Sequence, residues 1–207
     1  MRLWVRRLLF VVILLVYLIA GVLYLTLTPP WQNPDEPAHF NYVRTVADQA
    51  IFPELTTGCY DQVYLSTLTT QKFPKELSLD SVCYEFHQPP TYYILAGPIY
   101  QLSDRQLFAV RALSVLLGAG IVTLAYFIGH SIFPKRADIS LGGMAFVAFV
   151  PMHVAILSSA NNDSLAGLCF AAILLVLVQR LKRYPGQPTL KNNILLGLLL
   201  GVALVTK

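Results

Sequence analysis

Residues Leu8–Thr26, LLFVVILLVYLIAGVLYLT, carry no charge over a length close to the ~20 residues that cross a bilayer as a helix, and Arg2, Arg6 and Arg7 precede them. The run is longer than the ~7–15 apolar residues of a cleavable leader, and no small-x-small site follows it. It therefore reads as a first transmembrane helix, with residues 1–28 as its unit. The rest of the chain agrees. Of 207 residues, 56% are hydrophobic and only 13% charged, with a mean hydropathy of +0.59, more apolar material than a water-soluble core requires. The net charge of +4 sits in short clusters beside apolar segments and not along one face, which argues for membrane orientation and against nucleic acid as a partner.

After the first span comes a polar segment, residues 29–90, with acids at Asp35, Glu36, Asp48, Glu54, Asp61, Glu76, Asp80 and Glu85 against bases at Arg44, Lys72 and Lys75. Its opening stretch, WQNPDEPAHFNYVRTVADQ from Trp31, reads as a helix to about Ala50. Asn33 can cap it, Pro34 suits the first helical position, and Asp35 and Glu36 favour the positive end of the dipole. On such a helix Asp35, Glu36 and His39 share the first turn. Capping alone would account for the acids. A carboxylate held at the outer membrane face is also suited to take a proton from an acceptor or to hold a divalent metal. Further on, QVYLSTLT reads as a β-prone piece. Cys59 and Cys83 either form a disulfide, if the segment faces an oxidising compartment, or remain free thiols.

Thr91–Leu102 is apolar but would reach only ~18 Å as a helix, too short to span. Spans are expected at Ala112–Gly129, Ile139–Ala160 and Ser164–Gln179, and a shorter apolar run, Ile194–Thr206, closes the chain as an incomplete one. If Thr91–Leu102 does not cross, then Arg2, Arg6 and Arg7, Lys135 and Arg136, and Arg180, Lys182, Arg183 and Lys191 share the cytoplasmic side, while the acidic segment and Asp163 face outward. Thr91–Leu102 is therefore expected to be an interfacial or re-entrant helix at the head of residues 91–207. The fold class expected is an all-α polytopic membrane protein with a large outward first loop.

The candidate site residues follow from that topology. Asp35, Glu36 and Asp163 fall on one side. So do Glu85 and His87, ahead of the stiff Pro89–Pro90 pair. Arg111 opens a span at the outer boundary, where it can snorkel or meet a lipid phosphate. Tyr92, Tyr93 and Tyr100 fit interfacial anchors, or a platform on which a sugar stacks. A divalent metal among Asp35, Glu36, His39, Glu85 and His87 would require those residues to converge.

The stretches PDEPAHFNYV, HQPPTYYIL, FAVRALSVLLGAGIVTLAYFIG and ILSSANNDSLAGL, in that order, resemble the N-terminal half of GT-C-fold glycosyltransferases, near protein O-mannosyltransferases and aminoarabinose transferases. Such enzymes take a sugar from a polyprenyl-phosphate carrier and pass it, usually with inversion, to a glycan, lipid or protein acceptor on the non-cytoplasmic side. The resemblance implies Asp35 as general base with Glu36 beside it. It matches Asp163 to a second acidic position and places Arg111, and Lys207 in LVTK, toward the carrier phosphate. His39, Glu85, His87 and Tyr92 would line the substrate. Relatives often carry a base before the diproline, where this sequence has Gln88. The family's module continues through further spans, so the chain reads as its first portion. Two other classes fit the same residues: a transporter or flippase of lipid-linked sugars, and a non-catalytic membrane subunit.

Overall fold

The computed structural model describes residues 1–182, 186 and 190–207; Arg183 of the expected basic cluster lies outside them. Within them the chain is helical and without strands. Helix α1 (Leu3–Leu27), α5 (Leu107–Ile132) and α8 (Asp163–Lys182) are long and apolar enough to cross a membrane, as the all-α polytopic reading requires. Along α1, Leu8, Val12, Leu15, Ile19 and Val22 are exposed, a surface suited to lipid.

Helix α5 is the centre of the bundle. Tyr17 of α1 is fully buried and its hydroxyl donates to the Val115 carbonyl at 3.4 Å. Gly118 leaves room for it, since a Cβ there would stand 2.0 Å from the Tyr17 oxygen. On another face of α5, Gly167 of α8 admits Ile121, and Gly120 admits Leu168. Small residues let helix backbones approach in lipid, where no hydrophobic effect draws them together.

The expected single span Ile139–Ala160 is instead two helices, α6 (Ala137–Phe149) and α7 (Pro151–Ile156). Pro151 lacks an N–H and its ring opposes continuation from α6, so the chain bends at Val150. Helix α6, at 13 residues, reaches ~20 Å. Helix α9 (Leu190–Leu204) packs along α8, and the chain then turns so that the Val205 carbonyl accepts from the Thr91 N–H at 3.2 Å.

Above the bundle, residues 29–90 and α4 (Thr91–Leu102) form a cap. Helix α4 has the bounds read from the sequence, and it buries Tyr92, Tyr93, Ala96, Gly97 and Tyr100 against its neighbours. Helix α2 (Glu36–Gln49) lies on it, with Tyr42 and Tyr93 stacked at 3.6 Å between ring centroids. The three tyrosines are thus packing residues of α4, neither interfacial anchors nor a sugar platform. The β-prone piece is helical: α3 (Gln62–Thr70) starts where the Asp61 carboxylate accepts from the N–H groups of Val63 and Tyr64 at 2.9 and 3.0 Å. A Cys59–Cys83 disulfide ties the loop before α3 to a 3₁₀ turn at Tyr84–His87. Asn41 donates to the carbonyls of Leu79 and Val82, holding that loop onto α2.

Candidate active site

Helix α2 begins later than its sequence suggests. Pro34 and Asp35 precede it, Asp35 takes a left-handed backbone (φ 58°), and Pro37 occupies the first turn. Asp is among the residue types that tolerate that region, which Trp31, Ala50, Lys72, Phe73, Asp104 and Arg105 also occupy here. The turn brings the Asp35 side chain to the 3₁₀ turn at Tyr84–His87. Its Oδ1 accepts from the Tyr84 hydroxyl at 2.8 Å while the side chain stays exposed. Burial, followed by the bond to Asp35, pushes the Tyr84 phenol up, so it stays protonated and donating.

Glu36 points the other way. It is completely buried and forms an ion pair with Arg111, which is 3% exposed. Arg111 Nε donates to Glu36 Oε1 at 2.8 Å, and one terminal nitrogen to Oε2 at 2.6 Å. Its remaining donors reach the carbonyls of Leu25, Thr28 and Pro29 at 2.9, 2.8 and 3.2 Å. A guanidinium has five N–H groups, and all five are engaged. Arg111 therefore has none to offer a carrier phosphate, and the expectation that it faces one is replaced by a structural role. Glu36 also accepts from the N–H groups of Trp31 and Ala160 and from the Asn33 amide. The pair joins the end of α1, the start of α2, the start of α5 and the approach to α8.

His39 is 3% exposed. Its Nδ1 lies 2.8 Å from the Tyr93 hydroxyl. Burial pushes its pKa down to about 4, opposed by the charges of Asp35 and Asp163 and assisted by Lys207 and His87. The imidazole is neutral at physiological pH. On the 3₁₀ turn, Glu85 accepts from Gln88 Nε2 at 2.9 Å, and His87 Nδ1 lies 2.8 Å from the Tyr84 carbonyl. The Gln88 side-chain oxygen accepts from Asn162 Nδ2 at 3.2 Å, fixing the turn to the start of α8.

Asp163 opens α8, but its cap is Asn161, whose Oδ1 accepts the Asp163 N–H at 2.8 Å. The Asp163 carboxylate is free of that duty and pairs with Lys207. Both side chains are about half exposed, a setting in which an ion pair adds little stability and is readily exchanged. Tyr92, by contrast, is fully buried with its hydroxyl 3.0 Å from Ser114 Oγ, which removes it from any substrate surface.

One end of the bundle therefore gathers Asp35, Tyr84, His39, Tyr93, Glu85, His87, Asp163 and Lys207. Tyr84 was not among the residues the sequence singled out. Nothing local marks it, because its partner is 49 residues away. Among the described residues no three His, Cys, Asp or Glu side chains are grouped so as to hold a metal ion. The imagined set around Asp35 and Glu36 does not form, since those two diverge.

Among known families, the model described as dolichyl-phosphate-mannose-protein mannosyltransferase matches residues 87–207. It spans more than half of the chain, which belongs to that family of GT-C-type glycosyltransferases. The matched segment includes His87, Arg111, Asp163 and Lys207, while Asp35 precedes it. No curated protein and no solved structure matches the chain.

Proposed function

We propose that this member of the family transfers a sugar from a polyprenyl-phosphate carrier to an acceptor hydroxyl, with Asp35 as general base. One observation carries the assignment. Asp35 is exposed on a left-handed turn, one carboxylate oxygen is held by Tyr84, and the other is left without a partner among the described residues. Orientation by a hydrogen bond to one oxygen leaves the second to meet the acceptor.

In the reaction, the acceptor oxygen attacks the anomeric carbon as its proton passes to Asp35. The bond from that carbon to the phosphate oxygen breaks, and the carrier phosphate leaves with the electron pair. Lys207, on its exposed pairing with Asp163, is the cation best placed to exchange onto that phosphate. Asp163 would hold Lys207 in wait. Neutral His39 and the Tyr93 it is hydrogen-bonded to are buried like Tyr92, so the two brace the site from beneath and neither touches substrate nor acts as the base.

The topology proposed with it keeps residues 1–28 as the first transmembrane helix, 29–90 as an outward cap, and 91–207 as an interfacial helix followed by membrane segments. It puts the N-terminus in the cytoplasm and the site outside. Support comes from the bundle's two ends. The candidate residues lie at one, while Arg2, Arg6, Arg7, Lys135, Arg136, Arg180 and Lys182 fall at the helix ends opposite.

A single displacement inverts the anomeric centre. The product's anomeric configuration, read by proton NMR of sugar transferred by membranes carrying the chain, should be opposite to the donor's. Retention would contradict Asp35 as the base of a one-step transfer.

A further inference from the structure

The end of the bundle away from the candidate site holds a second feature that sugar transfer does not use. A groove of about 460 Å³ opens between the start of α1 and the end of α5, walled by Phe10, Tyr126 and Phe127 and bordered by Arg6, Arg7 and His130. Arg6 also borders an adjoining groove of about 380 Å³ reached by Lys135. Among the described residues, neither Arg6, Arg7 nor Lys135 has a side-chain hydrogen bond or ion pair. The single acid nearby, Asp138, is already met by Arg136 through three contacts of 2.7–3.2 Å. His130 stacks on Tyr126, and its Nδ1 is buried without a partner among the described residues.

We infer that this groove is a binding site for an anionic phospholipid, with its phosphate at Arg6 and Arg7, Lys135 adding positive charge from the adjoining groove, and an acyl chain against Phe10 and Phe127. Charge complementarity decides the occupant. The cations carry no internal counter-charge, the walls beside them are aromatic, and Trp4, 61% exposed, stands one turn nearer the terminus, where a headgroup layer would lie. Arg offers a planar fork that matches phosphate oxygens. Basic pockets between membrane helices take anionic headgroups for these reasons. A zwitterionic lipid presents the same phosphate with its own cation attached, and a free phosphate would leave the aromatic wall unused.

The test is native mass spectrometry of the purified full chain, after exchange into nanodiscs of equal parts phosphatidylglycerol and phosphatidylcholine. The expected result is retained phosphatidylglycerol in clear excess. Replacing two cations in Arg6→Gln/Arg7→Gln should weaken that retention roughly thirtyfold, while Arg6→Lys/Arg7→Lys keeps most of it. Equal retention of the two lipids by the unaltered chain would overturn the site, as would release of phosphatidylglycerol by millimolar inorganic phosphate. Unchanged retention in the double glutamine variant would do the same. None of these readouts depends on sugar transfer.

Discussion

At the scale of single residues, two adjacent acids have opposite fates. Asp35 is exposed on a left-handed turn and held at one oxygen, whereas Glu36 is sealed in a network of N–H donors with Arg111. Removing one partner of a buried ion pair strands the other charge, at a cost of about 3–5 kcal/mol. Glu36→Gln should therefore lower the unfolding midpoint of the detergent-purified protein sharply, and Arg111→Gln should do the same. Replacing both with apolar residues of similar size should recover part of the loss. An unfolding midpoint unmoved in Glu36→Gln would show that the pair does not hold the cap to the bundle. His39 adds a pH dependence of the same kind. Its folded-state pKa lies below the ordinary 6.5, so the unfolded chain takes up the proton first. Stability contributed by the neutral ring is full above about pH 6.5 and is lost as pH falls toward 4. Thermal scans at pH 7 and pH 5 should show the lower midpoint at pH 5, and His39→Gln should narrow the gap.

At the scale of elements, the cap depends on a few ties between short pieces. The Cys59–Cys83 link closes a loop around α3, and links of this span contribute about 2–4 kcal/mol. Cys59→Ser/Cys83→Ser should speed limited proteolysis between residues 52 and 83 while leaving α1, α5 and α8 protected. Equal cleavage rates would contradict a cap held by that bond. The same elements show what the sequence made legible. Helices α1, α5 and α8 could be read because uncharged runs of spanning length have one economical solution in lipid. Helix α4 could be read because Pro89 and Pro90 open it and an apolar run of 12 residues follows. QVYLSTLT misled because Val and Thr favour strands on average, whereas here the Asp61 carboxylate caps a helix, in which the Thr67 and Thr69 hydroxyls are satisfied by the carbonyls of Val63 and Leu65. The break at Pro151 was visible as a residue, yet the apolar run around it concealed its effect. The Glu36–Arg111 pair could not be read at all, since 75 residues separate its members. Nor could Tyr84 on Asp35.

At the scale of the whole molecule, the bundle has two unlike ends. One carries the cap and the proposed transfer site, the other the basic clusters and the lipid groove. Their separation predicts a labelling pattern. A cysteine placed at Ser66 on the cap should react with a membrane-impermeant maleimide added to intact cells, and one placed at Lys135 should react only after lysis. The reverse pattern would invert the proposed orientation. At Asp35 turnover and carrier binding should separate. Measured side by side in membranes carrying the unaltered chain or Asp35→Asn, transfer from a radiolabelled polyprenyl-phosphate sugar should fall about 10²–10⁴-fold. Retention of the carrier lipid should change little. Transfer that persists at the unaltered rate in Asp35→Asn would contradict Asp35 as the general base.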